Sequence, residues 1–247
     1  ATSNDKGYLI SGEKTVVFNG ATADSLVVAA RTSGGQFDRE GVSLFLVDSN
    51  AEGLSTNSYK TMDGQTAATV NFNNVQVLAD QLLAEAGQGM DLVDKVMPQI
   101  LMALSAEALG IMATLNSITV DYTKTRQQFG TPISSFQALQ HRMVDTFMAC
   151  EQSKSLLYRG LCHASEVAAD PTVGPLELQK SVHALKATVA KYGKLIGEEA
   201  IQIHGGIGIT DELNIGHYVK RLMTINVTFG DGDFHQKKFN QLSYSAS

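Results

Sequence analysis

The sequence predicts an α+β protein of two domains, a partial antiparallel β-barrel or sandwich followed by an up-down, four-helix-type bundle. The first part alternates short β-rich runs with Gly, Asn, Asp and Ser turns, whereas the second keeps a helical period of apolar residues over long stretches. The period changes near residue 88, so the predicted domains are residues 1–88 and 89–247. With 43% hydrophobic residues, the 247-residue chain can bury a core in each domain.

The first domain is predicted to be all-β. Its strand-like runs are rich in β-branched residues, and turn residues bound each of them. Residues 11–14 (SGEK) and 33–41 (SGGQFDREG) are predicted to be hairpin connections. The strand-like runs are GYLISGEKTVVFNG, DSLVVAART, VSLFLVD and ATVNFNNVQV.

Three long amphipathic helices are predicted in the second domain. Their apolar stripes run from Leu92 to Tyr122, from Phe136 to Leu161 and from Leu178 to Ile203. The segments NIGHYVKRLMTI and DFHQKKFNQL predict two shorter helices. Long helices with short links are typical of an antiparallel bundle.

The bulk composition excludes several classes of protein. A net charge of −6 argues against a nucleic-acid partner, which requires a basic surface. No run of about 18 uncharged apolar residues is found, so no transmembrane helix and no membrane partner are expected. The two cysteines, Cys150 and Cys162, lie in one helical pattern, which favours a reducing, cytoplasmic compartment. The six histidines lack metal-ligand spacing, so no metal site is expected.

The segment RQQFGTPISSFQALQHRM, residues 126–143, has two interpretations. Chain reversal between two helices explains the segment without any ligand, with Gly130 as the stop of the first helix and Pro132 before the start of the next. Alternatively, Arg126 donates two hydrogen bonds to a phosphate, Phe129 stacks on a planar ring and Gln137 binds a polar rim. The residues alone leave both interpretations open.

The segment IQIHGGIGIT, residues 201–210, is similarly ambiguous. A helix that ends on glycine is common, and His204 is expected to be a packed or capping imidazole. Alternatively, Gly205 and Gly206, next to Gln202, let bare backbone approach a pyrophosphate. The spacing and context differ from those of a Rossmann fingerprint.

A third segment, TFGDGDFH at residues 228–235, lies between the two predicted short helices. Gly and Asp are ordinary turn residues, so a plain connection explains it. The same carboxylates could also remove a proton from a substrate.

Taken in order, these segments resemble the acyl-CoA dehydrogenase superfamily. The similarity extends over most of the middle β-domain and the whole C-terminal helical bundle. GHYVKRL with FGDGDFH looks most like the small subunits of the pimeloyl-CoA dehydrogenase branch. The resemblance implies that the superfamily's N-terminal helical domain is absent from this chain.

The resemblance implies a FAD-dependent enzyme that desaturates an acyl-CoA to a trans-2-enoyl-CoA and passes electrons to an electron-transfer flavoprotein. It also implies a dimer or dimer of dimers, formed with itself or with a paralogous subunit, because two chains complete one FAD site. The implied FAD contacts are Arg126, Gln128, Phe129 and Gln137 for the ADP part, and Gln202, Gly205 and Gly206 from a neighbouring subunit.

The chain departs from the superfamily where the catalytic base is expected. Gly230 stands at the position of the usual Glu, and Asp231 is the nearest carboxylate, followed by Asp233. Asp231 is therefore the candidate base. Two alternatives stay open, a non-catalytic subunit that completes a partner's FAD site and a flavin oxidase or monooxygenase. By itself the chain lacks one wall of the cleft, so little or no activity is expected from it alone.

Overall fold

The computed structural model describes residues 1–210 and 212–244. It contains two compact units, Ala1–Met97 and Pro98–Ser247. The long helix α1, Gly89–Thr125, begins in the first unit, near the predicted change of period, and continues into the second.

The first unit contains two open antiparallel sheets. One has the strand order β1-β2-β6-β5, and the other pairs β3 with β4. Buried residues of both sheets form one apolar core that includes Ile10, Val28, Phe45 and Val70. The predicted partial sandwich is therefore confirmed. The strands are β1 Thr2–Asn4, β2 Gly7–Phe18, β3 Ser25–Arg31, β4 Val42–Asp48, β5 Leu54–Lys60 and β6 Thr66–Leu78.

One of the two predicted hairpin connections is wrong. Residues 11–14 lie inside β2, which pairs along most of β6 and shifts register between Ile10 and Gly12 and again between Lys14 and Val17. The glycine therefore belongs to a bulge region rather than to a turn. The connection at residues 33–41 is confirmed, since it joins β3 to β4.

The second unit is a helical bundle, as predicted. Helix α3 is central because α2, α4 and α5 all contact it. Its buried stripe includes Val182, Leu185, Val189, Ile196 and Ile203. A two-stranded hairpin joins α1 to α2. The bounds after α1 are β7 Gln127–Gln128, β8 Thr131–Pro132, α2 Gln137–Ala169, α3 Pro175–His204, α4 Ile215–Val227 and α5 Gly232–Tyr244.

By length and composition alone, α1 is long and apolar enough to cross a membrane. A single helix that meets this criterion is weak evidence for a membrane span, so the absence of a transmembrane helix stays a prediction. Core helices pass the same test, and Leu101, Ala108, Met112 and Leu115 of α1 are all buried. Packing within the bundle buries one face of this helix, amounting to 33% of its most apolar stretch.

Candidate functional site

The predicted turn after α1 is a β-hairpin. Gln127–Gln128 pairs with Thr131–Pro132, and the two residues between them, Phe129 and Gly130, have φ angles of 55° and 79°. Two successive positive φ angles are typical of a type I′ turn, whose backbone twist matches the right-handed twist of the two strands that it joins. Gly130 is thus a hairpin residue and not the cap of α1.

The hairpin presents an aromatic ring and a cation to solvent. Phe129 is 93% exposed and lies edge-on to Phe136, with ring centroids 6.1 Å apart. Arg126, Gln128 and Gln137 are also exposed. Within residues 1–210 and 212–244, the Arg126 guanidinium has no ion pair and no hydrogen-bond partner. Exposed in this way, the two side chains add little to stability, but they suit a planar ring and a phosphate.

The glycines after α3 have different structural roles. Gly205 has a φ of 64°, and its N–H donates to the carbonyls of Ile201 and Gln202. A Cβ on Gly208 would lie 2.9 Å from the Ile201 carbonyl oxygen, whereas a Cβ on Gly206 would meet nothing within 4 Å. Gly208 is therefore needed for packing, and the backbone at Gly206 is open to a ligand.

The hairpin and the glycine turn lie at the same end of the bundle. Tyr122, in the last turn of α1, stacks on His204 with ring centroids 4.2 Å apart, and its hydroxyl donates to the His204 carbonyl at 3.2 Å. The His204 ring is buried and its Nδ1 donates to the Ala200 carbonyl at 2.8 Å, so the predicted packed imidazole is confirmed. Burial lowers the pKa of His204. The structure thus brings Arg126 and Gly205 into one region.

The candidate base lies between α4 and α5. The Asp231 carboxylate accepts the Phe234 N–H at 2.8 Å, which is the geometry of a helix N-cap. Asp231 is exposed, and Asp233 lies in the first turn of α5. This geometry fits the plain connection between the helices, and the role of Asp231 as a base stays a prediction.

A buried lysine beneath this loop escaped the sequence analysis. Lys186 of α3 is fully buried, and its Nζ donates to the carbonyls of Ile225 at 2.9 Å, Asn226 at 3.0 Å and Gly230 at 3.0 Å. Burial lowers its pKa to about 8, while the Asp231 carboxylate acts in the opposite direction. The only signal in the sequence is that Lys186 follows Leu185 inside the apolar stripe of α3.

The buried His235 and the half-buried His183 form a pair near Lys186. The Nδ1 atoms of His183 and His235 lie 2.8 Å apart, and the His235 Nε2 lies 3.2 Å from the Phe229 carbonyl oxygen. Burial lowers the pKa of His235 to about 4, and the charges of His183 and Lys186 add to this effect. Both rings are therefore neutral near pH 7.

The loop and the glycine turn lie at different levels of the bundle. Lys186, which holds the loop, is about 27 Å along α3 from His204, given a rise of about 1.5 Å per residue. The structure therefore does not bring Asp231 together with Gly205 and Gly206 of the same chain.

The part of the chain that the structure describes has no group of three or more His, Cys, Asp or Glu side chains that could hold a metal ion. A cavity of about 310 Å³ is lined by residues that include Arg142, Thr146, Tyr192 and Glu199. None of the predicted site residues lines it. The predicted residues lie instead on open surfaces, as expected of a cofactor site that a second chain or domain completes.

Comparison with known proteins gives the same assignment for both units. The family model described as "Acyl-CoA dehydrogenase, C-terminal domain" matches residues 87–238, and the one described as "Acyl-CoA dehydrogenase, middle domain" matches residues 1–75. The chain is 27% identical over 224 residues to the short-chain specific acyl-CoA dehydrogenase of Megasphaera elsdenii, covering 89% of this chain and 56% of that protein.

Solved structures show the same fold. The structure named "FAD complex of PigA" is 25% identical with a TM-score of 0.90, covering 100% of this chain and 63% of that one. A chain of "Electron transferring flavoprotein of Acidaminococcus fermentans: Towards a mechanism of flavin-based electron bifurcation" is 25% identical with a TM-score of 0.87, covering 98% and 62%. The chain thus spans less than two thirds of these proteins. It belongs to the acyl-CoA dehydrogenase family, with the middle and C-terminal domains of that family.

Proposed function

We propose that this chain provides the middle and C-terminal domains of a FAD-dependent acyl-CoA dehydrogenase. The reaction is desaturation of an acyl-CoA to a trans-2-enoyl-CoA, with an electron-transfer flavoprotein as the electron acceptor. The observation that carries this proposal is the exposed hairpin, which presents the 93% exposed Phe129 and, three residues before it, the exposed Arg126, whose guanidinium has no partner among the described residues. The FAD complex and the flavoprotein structure among the similar proteins support the same cofactor and acceptor.

The exposed groups fit the ADP part of FAD. The Arg126 guanidinium would bind the pyrophosphate, the Phe129 ring would cover a flat face, and the amides of Gln128 and Gln137 would bind polar edges. The open backbone at Gly206, next to Gly205 and Gln202, would accept close approach by a phosphate. When bound, FAD would accept the hydride that leaves the β-carbon of the substrate.

Two chains would share each FAD. The glycine turn lies about 27 Å along α3 from the Asp231 loop. Because the hairpin shares that end of the bundle, a chain whose Asp231 serves one FAD would lend both its hairpin and its glycine turn to the FAD of a neighbour, which supports a dimer or dimer of dimers. The partner would be a second copy or a paralogous subunit.

Asp231 is the proposed base. Its carboxylate would take the α-proton of the thioester while the β-hydride leaves for FAD, so that the Cα–Cβ double bond forms and Asp231 becomes protonated. Its bond to the Phe234 N–H orients one oxygen and leaves the other available.

One observation favours a second candidate function. The N-cap bond already explains why an Asp precedes α5, and Gly230 stands where the superfamily has its Glu. A non-catalytic subunit that completes the FAD site of a paralogous partner would have the same features.

The decisive experiment compares Asp231→Asn and Asp233→Asn in the assembled enzyme with acyl-CoA and an artificial electron acceptor. We expect Asp231→Asn to retain FAD absorbance and lose about 10²- to 10⁴-fold in kcat. Asp233→Asn, which changes a neighbouring exposed carboxylate, should leave kcat within about 3-fold. Unchanged turnover by Asp231→Asn would favour the non-catalytic subunit. Oxygen consumption without an added acceptor would instead indicate an oxidase.

A further inference from the structure

Lys186 links the end of α4 to the following loop through three hydrogen bonds, and we call this set of bonds the Lys186 clamp. All three of its donors bind backbone carbonyls, and no acidic side chain bonds to it in the described residues. Ile225 and Asn226 belong to the last turn of α4, whose carbonyls lack partners within the helix. The third carbonyl, that of Gly230, belongs to the loop. Lys186 thus ties the end of α4 to the residue that precedes Asp231.

Burying the Lys186 ammonium costs free energy, so a gain in stability does not explain why a lysine stands at this position. A fully buried ammonium must give up its hydration, and this desolvation lowers the pKa of Lys186. An apolar side chain of similar volume often stabilises a core as well as a buried charge does. A buried charged group is thus better suited to fix one local geometry than to add stability.

The geometry that Lys186 fixes is the peptide leading into Asp231. The Gly230 carbonyl and the Asp231 N–H share one planar peptide group, so a bond to the first orients the second. Gly230 itself has a φ of 107°, and a Cβ there would lie 2.5 Å from the Phe234 ring. The preceding carbonyl, that of Phe229, is held by His235 at 3.2 Å. Two consecutive carbonyls of the loop are therefore anchored from beneath.

We propose that Lys186 is a positioning residue, which sets the place of the Asp231 carboxylate by holding the Gly230 carbonyl. The inference rests on the proposed role of Asp231 as the base. It assigns a role in proton abstraction to a residue that touches neither substrate nor cofactor. Because the hairpin and the glycine turn lie at the carboxyl end of α3, about 27 Å along the helix from Lys186, loss of the clamp should leave FAD binding intact.

The test compares Lys186→Met and Lys186→Arg with Lys194→Met in the FAD-loaded enzyme. Lys194 lies on the same helix with a 70% exposed side chain, so its variant controls for loss of a lysine from α3. Lys186→Met removes the clamp. Lys186→Arg keeps the charge, and its longer side chain places the cation beyond the position from which Lys186 reaches Gly230. In both Lys186 variants we expect about 10- to 100-fold lower kcat, with KM and FAD content within about 2-fold of the wild type. A displacement of the Asp231 carboxylate by about 1 Å is enough to cause a loss of this size.

Amide hydrogen exchange at Phe234 gives a readout that does not depend on turnover. Its N–H bonds to the Asp231 carboxylate, so exchange should become faster in both Lys186 variants and stay unchanged in Lys194→Met. If Lys186→Met does not fold, Lys186→Arg decides the matter. A folded Lys186 variant with wild-type kcat and wild-type exchange would overturn the inference.

Failure of the proposed function gives a different pattern. If Asp231→Asn keeps full turnover, Asp231 is not the base, whatever the Lys186 variants show. If Asp231→Asn is inactive while Lys186→Arg keeps wild-type kcat, the base stands and the positioning role is wrong. Loss of activity in both, with retained FAD, supports both proposals.

Discussion

The Nδ1 atoms of His183 and His235 lie 2.8 Å apart, and this contact fixes the protonation of both rings. The His235 Nε2 faces the Phe229 carbonyl oxygen at 3.2 Å and must therefore donate to it. A neutral His235 then has an unprotonated Nδ1, which accepts the Nδ1–H of His183. Protonation of His235 would place two donors against each other, unless His183 changed tautomer.

We predict that the helical unit loses stability as the pH falls from about 7 to 5. His235 has an unfolded pKa of about 6.5 and a folded pKa of about 4, so the unfolded chain binds the proton first. Stability is therefore complete above pH 6.5 and decreases toward pH 4. Two neighbouring charges act in the same direction as burial, since Lys186 opposes protonation of His235 and Lys238 opposes that of His183. The Asp231 carboxylate acts in the opposite direction, because it favours protonation of His235.

Urea unfolding followed by circular dichroism at pH 7.5 and pH 5 measures this effect. We expect His235 to contribute a decrease of about 2 kcal/mol in the free energy of unfolding. His235→Gln should flatten this dependence, and His141→Gln, which changes an exposed histidine, should not. If the free energy of unfolding of His235→Gln falls between pH 7.5 and pH 5 as much as that of the wild type, other groups cause the pH dependence.

The regular elements could be predicted because each has a repeated signal. The stripe of α3 repeats apolar residues at helical spacing, and this repetition identifies the helix even though one position on its buried face is Lys186. A single lysine in such a stripe carries no periodic signal, and lysines on helices usually point to water. Only the tertiary structure reveals that three carbonyls meet at its Nζ.

Local turn chemistry was harder to predict than the helices. A glycine near the end of a helical pattern indicates a cap, yet Gly130 is a hairpin residue because the short segments beside it pair with each other. Gly12 similarly resembles a turn residue, but a long partner strand keeps it inside β2. In both cases a pairing partner outside the local segment determines the outcome.

We predict that Phe129→Ala weakens FAD binding without destabilising the fold. The ring is 93% exposed, so its removal should change the free energy of unfolding by less than about 0.5 kcal/mol. The matched control is Phe37→Ala, since Phe37 is 92% exposed in the connection between β3 and β4. FAD retention, read from visible absorbance after gel filtration, should fall only in Phe129→Ala. Equal retention in both variants would contradict the role of the hairpin in cofactor binding.

We predict opposite effects for two glycines of the turn after α3. A Cβ on Gly208 would lie 2.9 Å from the Ile201 carbonyl oxygen and 3.0 Å from the His204 Cβ, so Gly208→Ala should destabilise the helical unit by about 1–3 kcal/mol. A Cβ on Gly206 would meet nothing, so Gly206→Ala should leave stability unchanged. It should nevertheless reduce FAD retention, because the added methyl group covers backbone that the phosphate approaches.

Thermal unfolding of the FAD-free protein and FAD retention of the assembled enzyme separate the two effects. The two substitutions add the same methyl group two residues apart, so each controls for the other. If Gly206→Ala lowers the melting temperature as much as Gly208→Ala does, Gly206 serves packing and its assignment to the cofactor is wrong. If both variants keep stability but Gly206→Ala loses FAD, the turn adapts at Gly208 and the binding role of Gly206 stands.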